Sequence, residues 1–156
     1  MGQLKIEGGA VEQLTLEKRR INQQFDPMNP LIVHCLGSRM SIPAGEYRLQ
    51  KIELKGGYCC DVPMQIIDGL TGKVLREAEW LTIGPDKPCT LKAGAPLKLV
   101  SRVYCLGRVI RLGYELLDAQ GRRYYAPATP RQLPRFAVYQ GDREIASSDS
   151  MSLEYG

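Results

Sequence analysis

Short runs in which apolar and polar residues alternate recur about every 8–12 residues, with glycine or proline between them. This pattern predicts an all-β protein, an antiparallel sandwich of the immunoglobulin-like kind. The 16 glycines and 10 prolines among 156 residues supply the turns. No amphipathic helical stripe is secure for more than about two turns. Hydrophobic residues make up 44% and charged residues 24%, the balance of a globular chain rather than a disordered one. A chain of this length buries roughly two-thirds of its unfolded surface, so it needs no metal or disulfide to fold. The expected organisation is one or more N-terminal strands with an irregular linker over residues 1–30, packed on a main sandwich at residues 31–156. The N-terminal part would be a short extension or a second small β piece.

Leu4-Lys5-Ile6-Glu7 alternates as a half-buried strand does, and Gly8-Gly9 turns the chain. Residues 11–25 read two ways: Leu14 and Leu16 fit a strand, whereas Val11, Leu14, Ile21 and Phe25 fit a helical stripe. The β character of the rest favours a strand at 12–17. Pro27 and Pro30 break either element. Leu31-Ile32-Val33 opens a strand ending near Gly37, and Pro43-Ala44-Gly45 is a turn. Tyr47 and Leu49, then Ile52 and Leu54, alternate out of phase with each other, which predicts a bulge or bend between them. Gly56-Gly57 closes that strand.

Further strands are expected at 62–67, around Val74-Leu75, at 80–83, around Leu91 and from Leu97 to Cys105. Gly107-Arg108 is a tight hairpin leading into Val109–Leu117, and Asp118-Ala119-Gln120-Gly121 is a second hairpin turn. A proline-rich stretch at 126–135 crosses one end of the sandwich. Phe136 to Tyr139 and Met151 to Tyr155 are the last strands, with a turn at Gly141-Asp142.

The net charge of +4 is too small and too dispersed for a nucleic-acid face, whose cations cluster between aromatics. The longest basic run, Lys18-Arg19-Arg20 beside Glu17, reads as a solvated turn or strand end. No apolar run of about 18 residues occurs, so no membrane span is expected. Residues 1–7 do not resemble a secretion signal. The five cysteines are Cys35, Cys59, Cys60, Cys89 and Cys105, an odd count. Cys59 and Cys60 would face opposite sides of a strand. With no CxxC or HxxxH spacing, neither a metal nor a cofactor is expected. His34 is the only histidine. It cannot pair with Cys35 along an extended segment, so Cys35 reads as a buried small apolar residue and His34 as facing solvent or a turn. Candidate carboxylates Asp61, Asp68, Glu77, Glu79 and Glu115 form no distinctive pair, so no catalytic residue is expected and the chain reads as a non-enzyme.

Candidate contact residues are aromatic and basic. Tyr124-Tyr125 on a strand must place one ring on each face. Trp80, the one tryptophan, is a candidate platform, although packing between the sheets is the more ordinary fate of such a ring. Arg131 and Arg135 lie in the proline-rich loop. These residues point to a non-catalytic accessory or protein-interaction module, or alternatively to a carbohydrate-binding module with exposed aromatics. The partner would be an unknown protein or a cell-envelope glycan.

Ile42-Pro43-Ala44-Gly45-Glu46-Tyr47-Arg48-Leu49 resembles the PxGxY turn and strand of bacterial transthyretin-like and carboxypeptidase-regulatory-like sandwich domains. Gly121-Arg122-Arg123-Tyr124, Phe136-Ala137-Val138-Tyr139 and the ending Leu153-Glu154-Tyr155-Gly156 are similar to the end of uncharacterised bacterial extracytoplasmic sandwich domains. The resemblance covers about half the chain. It implies a secreted or periplasmic location and an accessory role, and assigns no functional residues. An odd cysteine departs from what an oxidising compartment favours.

Overall fold

The computed structural model describes residues 1–19, 30–63, 66–67, 69–76, 78–107, 109–125 and 137–147. Among them are fifteen strands and no helix, so the protein is all-β. One sheet has the order β10–β1–β4, from β1 (Gly2–Glu7), β4 (Arg39–Ile42) and β10 (Cys89–Lys92). A second has the order β3–β2–β5–β6, from β2 (Val11–Lys18), β3 (Leu31–His34), β5 (Gly45–Leu54) and β6 (Cys59–Asp61). The long β5 also pairs, through Gly45–Arg48, with β9 (Trp80–Ile83).

A third sheet is β11–β12–β13, from Lys98–Leu106, Val109–Leu117 and Arg123–Tyr124. It joins β6 through one bridge: the Cys59 amide donates to the Tyr125 carbonyl at 3.1 Å and the Tyr125 amide to the Cys59 carbonyl at 2.8 Å. Two ribbons remain, β7 (Ile66–Ile67) with β8 (Val74–Arg76), and β14 (Ala137–Gln140) with β15 (Arg143–Ser147). All pairs are antiparallel except β1 with β10, which is parallel.

The first two sheets share one core. Leu4, Ile6, Ile42 and Leu91 from one meet Leu14, Leu16, Tyr47, Leu49, Ile52, Leu81 and Ile83 from the other. Alternation on each strand supplies the apolar face, and burial of that face is the main favourable term in folding. β1, the middle strand of its sheet, and β2, an inner strand of the other, both lie in the first 18 residues.

The strand reading of residues 12–17 agrees with β2. Its helix-like spacing comes from a register shift between Val11 and Gln13, which lets Val11 and Leu14, three apart, both face inward. The phase change in β5 is also seen: Thr15 faces Lys51 and Leu16 faces Leu49, so Gln50 is the extra residue of a bulge.

Two expectations are corrected. The single strand at 62–67 is instead Cys59–Asp61 and Ile66–Ile67, with Pro63, which cannot donate to a ladder, between them. The turn at Gly141-Asp142 is present, but it leads into Arg143–Ser147. The strand expected at 151–155 lies outside the described residues, as does the linker at 20–29.

Where the β1–β2 turn meets the β10–β11 turn, two glycines are required. Gly8 (φ 139°) sits so close that a Cβ would lie 1.9 Å from the Ala93 carbonyl oxygen. A Cβ on Gly94 (φ 87°) would lie 2.3 Å from that of Gly9. Reciprocal hydrogen bonds of 2.8 Å between Gly9 and Ala95 lock the crossing.

Candidate functional site: an aromatic and arginine-rich sheet face

Residues directly opposite each other in a sheet share a face. The side of the β3–β2–β5–β6 sheet turned away from the core therefore carries two informative rows. One is Glu17–Arg48–Trp80 across β2, β5 and β9. The other is His34–Gln13–Glu53–Cys59, extended by the bridge to Tyr125. Glu17 and Gln13 are four residues apart on β2, so the rows are about 13 Å apart.

Trp80 is 40% exposed. This corrects its expected place between the sheets. The sequence Trp80-Leu81-Thr82-Ile83 alternates, and Leu81 and Ile83 hold the inward positions. The Arg19 guanidinium lies 5.5 Å from the Trp80 ring centroid and donates to Glu46 at 2.9 Å. Tyr125 is 49% exposed, with the Arg123 guanidinium 5.5 Å from its ring. Two aromatic–arginine stacks thus stand on the outer side of this sheet, each in the range of a favourable cation–π contact.

As expected of the basic run, Lys18 and Arg19 are exposed at the end of β2, but Glu17 beside them is not. Glu17 is 2% exposed. Arg48 donates to it from Nε at 2.8 Å and also from Nη2, and the Gln50 side-chain amide donates to the same oxygen at 3.1 Å. Lys18 is exposed, with its ammonium 6.0 Å from the Tyr47 ring. Tyr47 is core, its hydroxyl donating to the Pro43 carbonyl at 2.9 Å across the turn.

Tyr124 and Tyr125 do take opposite faces. Tyr124 is buried, so it is no surface contact; its hydroxyl is 3.4 Å from Asp118 Oδ2. It lies beside a second buried network. Asp118 Oδ1 accepts from the Gln120 and Arg122 amides at 2.9 Å each, closing the turn whose Gly121 has φ 74°. Arg122 donates from Nη1 to Asp118 Oδ2 at 2.8 Å and to the Lys92 carbonyl at 2.6 Å. Its Nε donates to Glu79 Oε2 at 2.9 Å, and its Nη2 to Glu79 Oε1. Burial opposes the charge on Arg122, but Glu79 and Asp118 outweigh it and raise its pKa. Among the described residues no buried side-chain N or O lacks a partner. Such satisfied arginine–carboxylate clusters tie elements together and offer no free acid or base.

None of the five cysteines is in a disulfide. Cys60 is buried and Cys59 half-buried on the opposite face. Cys35 is half-buried against the core, and its thiol donates to the Val33 carbonyl at 3.6 Å. Burial pushes its pKa up to about 11, away from a nucleophile's range. His34 is exposed. Among the described residues no group of three or more His, Cys, Asp or Glu side chains could hold a metal ion. No helix there is long and apolar enough to cross a membrane. Arg131 and Arg135, with Asp68 and Glu77, lie outside the described residues.

Sequence reasoning named Trp80 and Tyr125 but missed their partners Arg19 and Arg123 and the two buried networks. Arg123 directly precedes Tyr124-Tyr125, and its side chain falls on the same side as Tyr125 by alternation. Nothing local marked Arg19, because Trp80 is far away in the chain. No family model matches the chain, and no curated protein or solved structure matches it significantly.

Proposed function

We propose that this chain is a non-catalytic interaction module on an immunoglobulin-like sandwich, binding a protein partner through the outer face that carries Trp80 and Tyr125. The supporting observation is the pair of stacks, Trp80 with Arg19 and Tyr125 with Arg123. Tryptophan, tyrosine and arginine dominate the energetics of protein interfaces, and rings already stacked lose little freedom on binding. The extracytoplasmic setting implied by the PxGxY and EYG resemblance would suit such an accessory role.

The test is affinity capture from the native source with the wild-type chain and with Trp80→Ala/Tyr125→Ala, after checking that both unfold at similar temperatures. A specific protein retained by the first and lost by the second is the expected result. A second reading, glycan binding, is favoured by the exposure of Trp80. A glycan-array signal lost in the same variant would select it. A protein partner retained equally by both chains would move the site elsewhere.

A further inference from the structure

β11 is the terminal strand of its sheet: it pairs with β12 on one side, and on the other there is no strand among the described residues. It spans nine residues, Lys98–Leu106, with unbroken register from Lys98 opposite Leu117 to Leu106 opposite Val109. Every second residue of such an edge turns its N–H and C=O away from the sheet. Edges are normally guarded by a proline, a bulge or an exposed mid-strand lysine. β11 has no proline and no bulge, and its lysine stands at its first position. Its one mid-strand cation, Arg102, is drawn back onto Glu115 of β12 at 3.2 Å. Leu99, Val103 and Tyr104 are more than half exposed.

We propose that this edge pairs with the same edge of a second copy, antiparallel, across a two-fold axis at Ser101. Only a few registers are open to a two-fold pair of identical strands, and charge sorts them. An axis at Arg102 would set that cation against its own copy, and an axis at Val100 would set Lys98 against Arg102. Like charges directly opposite are destabilising. An axis at Ser101 puts Lys98 opposite Tyr104 and Val100 opposite Arg102. It also puts Leu99 opposite Val103, twice by symmetry, on the face that also carries Leu116 of β12. An axis at Val103 would set Ser101 against Cys105 instead, without that apolar pair. The interface is isologous, so it closes as a dimer and consumes the exposed edge rather than propagating. The sheet would then run unbroken through both subunits.

Sedimentation of the full chain over a concentration series tests this. The wild type is expected to reach twice the monomer mass. Ser101 is exposed, so Ser101→Lys and Ser101→Glu should each keep the wild-type circular dichroism and unfolding temperature yet remain monomeric. Mixing the two variants should restore the doubled mass, because opposite charges then meet at the axis. A monomeric wild type at millimolar concentration would overturn the proposal, as would doubled mass in both single variants. A monomer that takes up an extended peptide along β11 would overturn it too. Should a variant misfold, hydrogen exchange on the unaltered chain decides the matter: alternate β11 amides gain protection with concentration if the edges pair, and unchanged protection refutes it.

Discussion

At the scale of single residues, the buried ions set the sharpest expectations. Arg122 holds Asp118, Glu79 and the Lys92 carbonyl together, and its side chain is 4% exposed. Replacing it with methionine leaves carboxylates without a cation, and breaking a buried pair from one side costs about 3–5 kcal/mol. Urea unfolding should show that loss for Arg122→Met and a much smaller one for Arg143→Met, at the exposed first residue of β15. The tyrosines set the alkaline limit. Burial raises the pKa of Tyr47, and burial raises that of Tyr124 with help from the Asp118 charge. In the unfolded chain both would ionise near the ordinary value of about 10. The folded state holds these protons more tightly, so their contribution is fully present below that pH and lost as pH rises above it. Absorbance titration at alkaline pH should show two tyrosines ionising together with unfolding, and Tyr47→Phe should flatten the fall in stability there. The thiols should separate as well. Cys105, exposed on β11, reacts first with a thiol reagent at mild pH, while Cys60 and Cys35 wait for denaturant.

At the scale of elements, the crossing of two turns is the most constrained point. Gly94 has a left-handed φ and backbone within 2.3 Å of where a Cβ would stand. Gly94→Ala combines backbone strain with a clash against Gly9 and Val11, and should lower the unfolding temperature far more than Gly37→Ala, whose Cβ would meet nothing. The turns themselves were legible. Pro43-Ala44-Gly45, Asp118–Gly121 and Gly141-Asp142 all sit where their residue chemistry put them, because a turn is decided within four residues. The bulge in β5 was legible for a similar reason, as it left a phase error between Leu49 and Ile52. The break at Pro63 and the strand Cys59–Asp61 were not, because that strand is only three residues long and exists by pairing with Lys51–Glu53.

For the whole molecule, the N-terminal 18 residues are structural centre rather than appendage: β1 lies between β10 and β4, and β2 between β3 and β5. Leu4, Leu14 and Leu16 are fully buried there. Leu14→Ala is expected to cost about 2–5 kcal/mol, the range for emptying a leucine site in a core. Deleting residues 1–18 should yield a chain without a cooperative unfolding transition by calorimetry. The candidate binding face depends on this assembly. Trp80 meets Arg19, and Tyr125 meets Cys59, only because β2, β9 and the end of β13 are drawn to the β5–β6 region.

By itself the sequence determined that the chain is all-β, where most of its turns fall, and which residues alternate. Even the side of β9 on which Trp80 stands was written in the alternation of Leu81 and Ile83. Only the tertiary structure decided which strands are neighbours, that β1 and β10 run parallel, that Glu17 is buried by Arg48, and which aromatics gained arginine partners. The physical reason is range. Strand pleat and turn geometry are set by a handful of adjacent residues. Strand neighbours are chosen by the burial and charge of groups tens of residues apart, which no local pattern records.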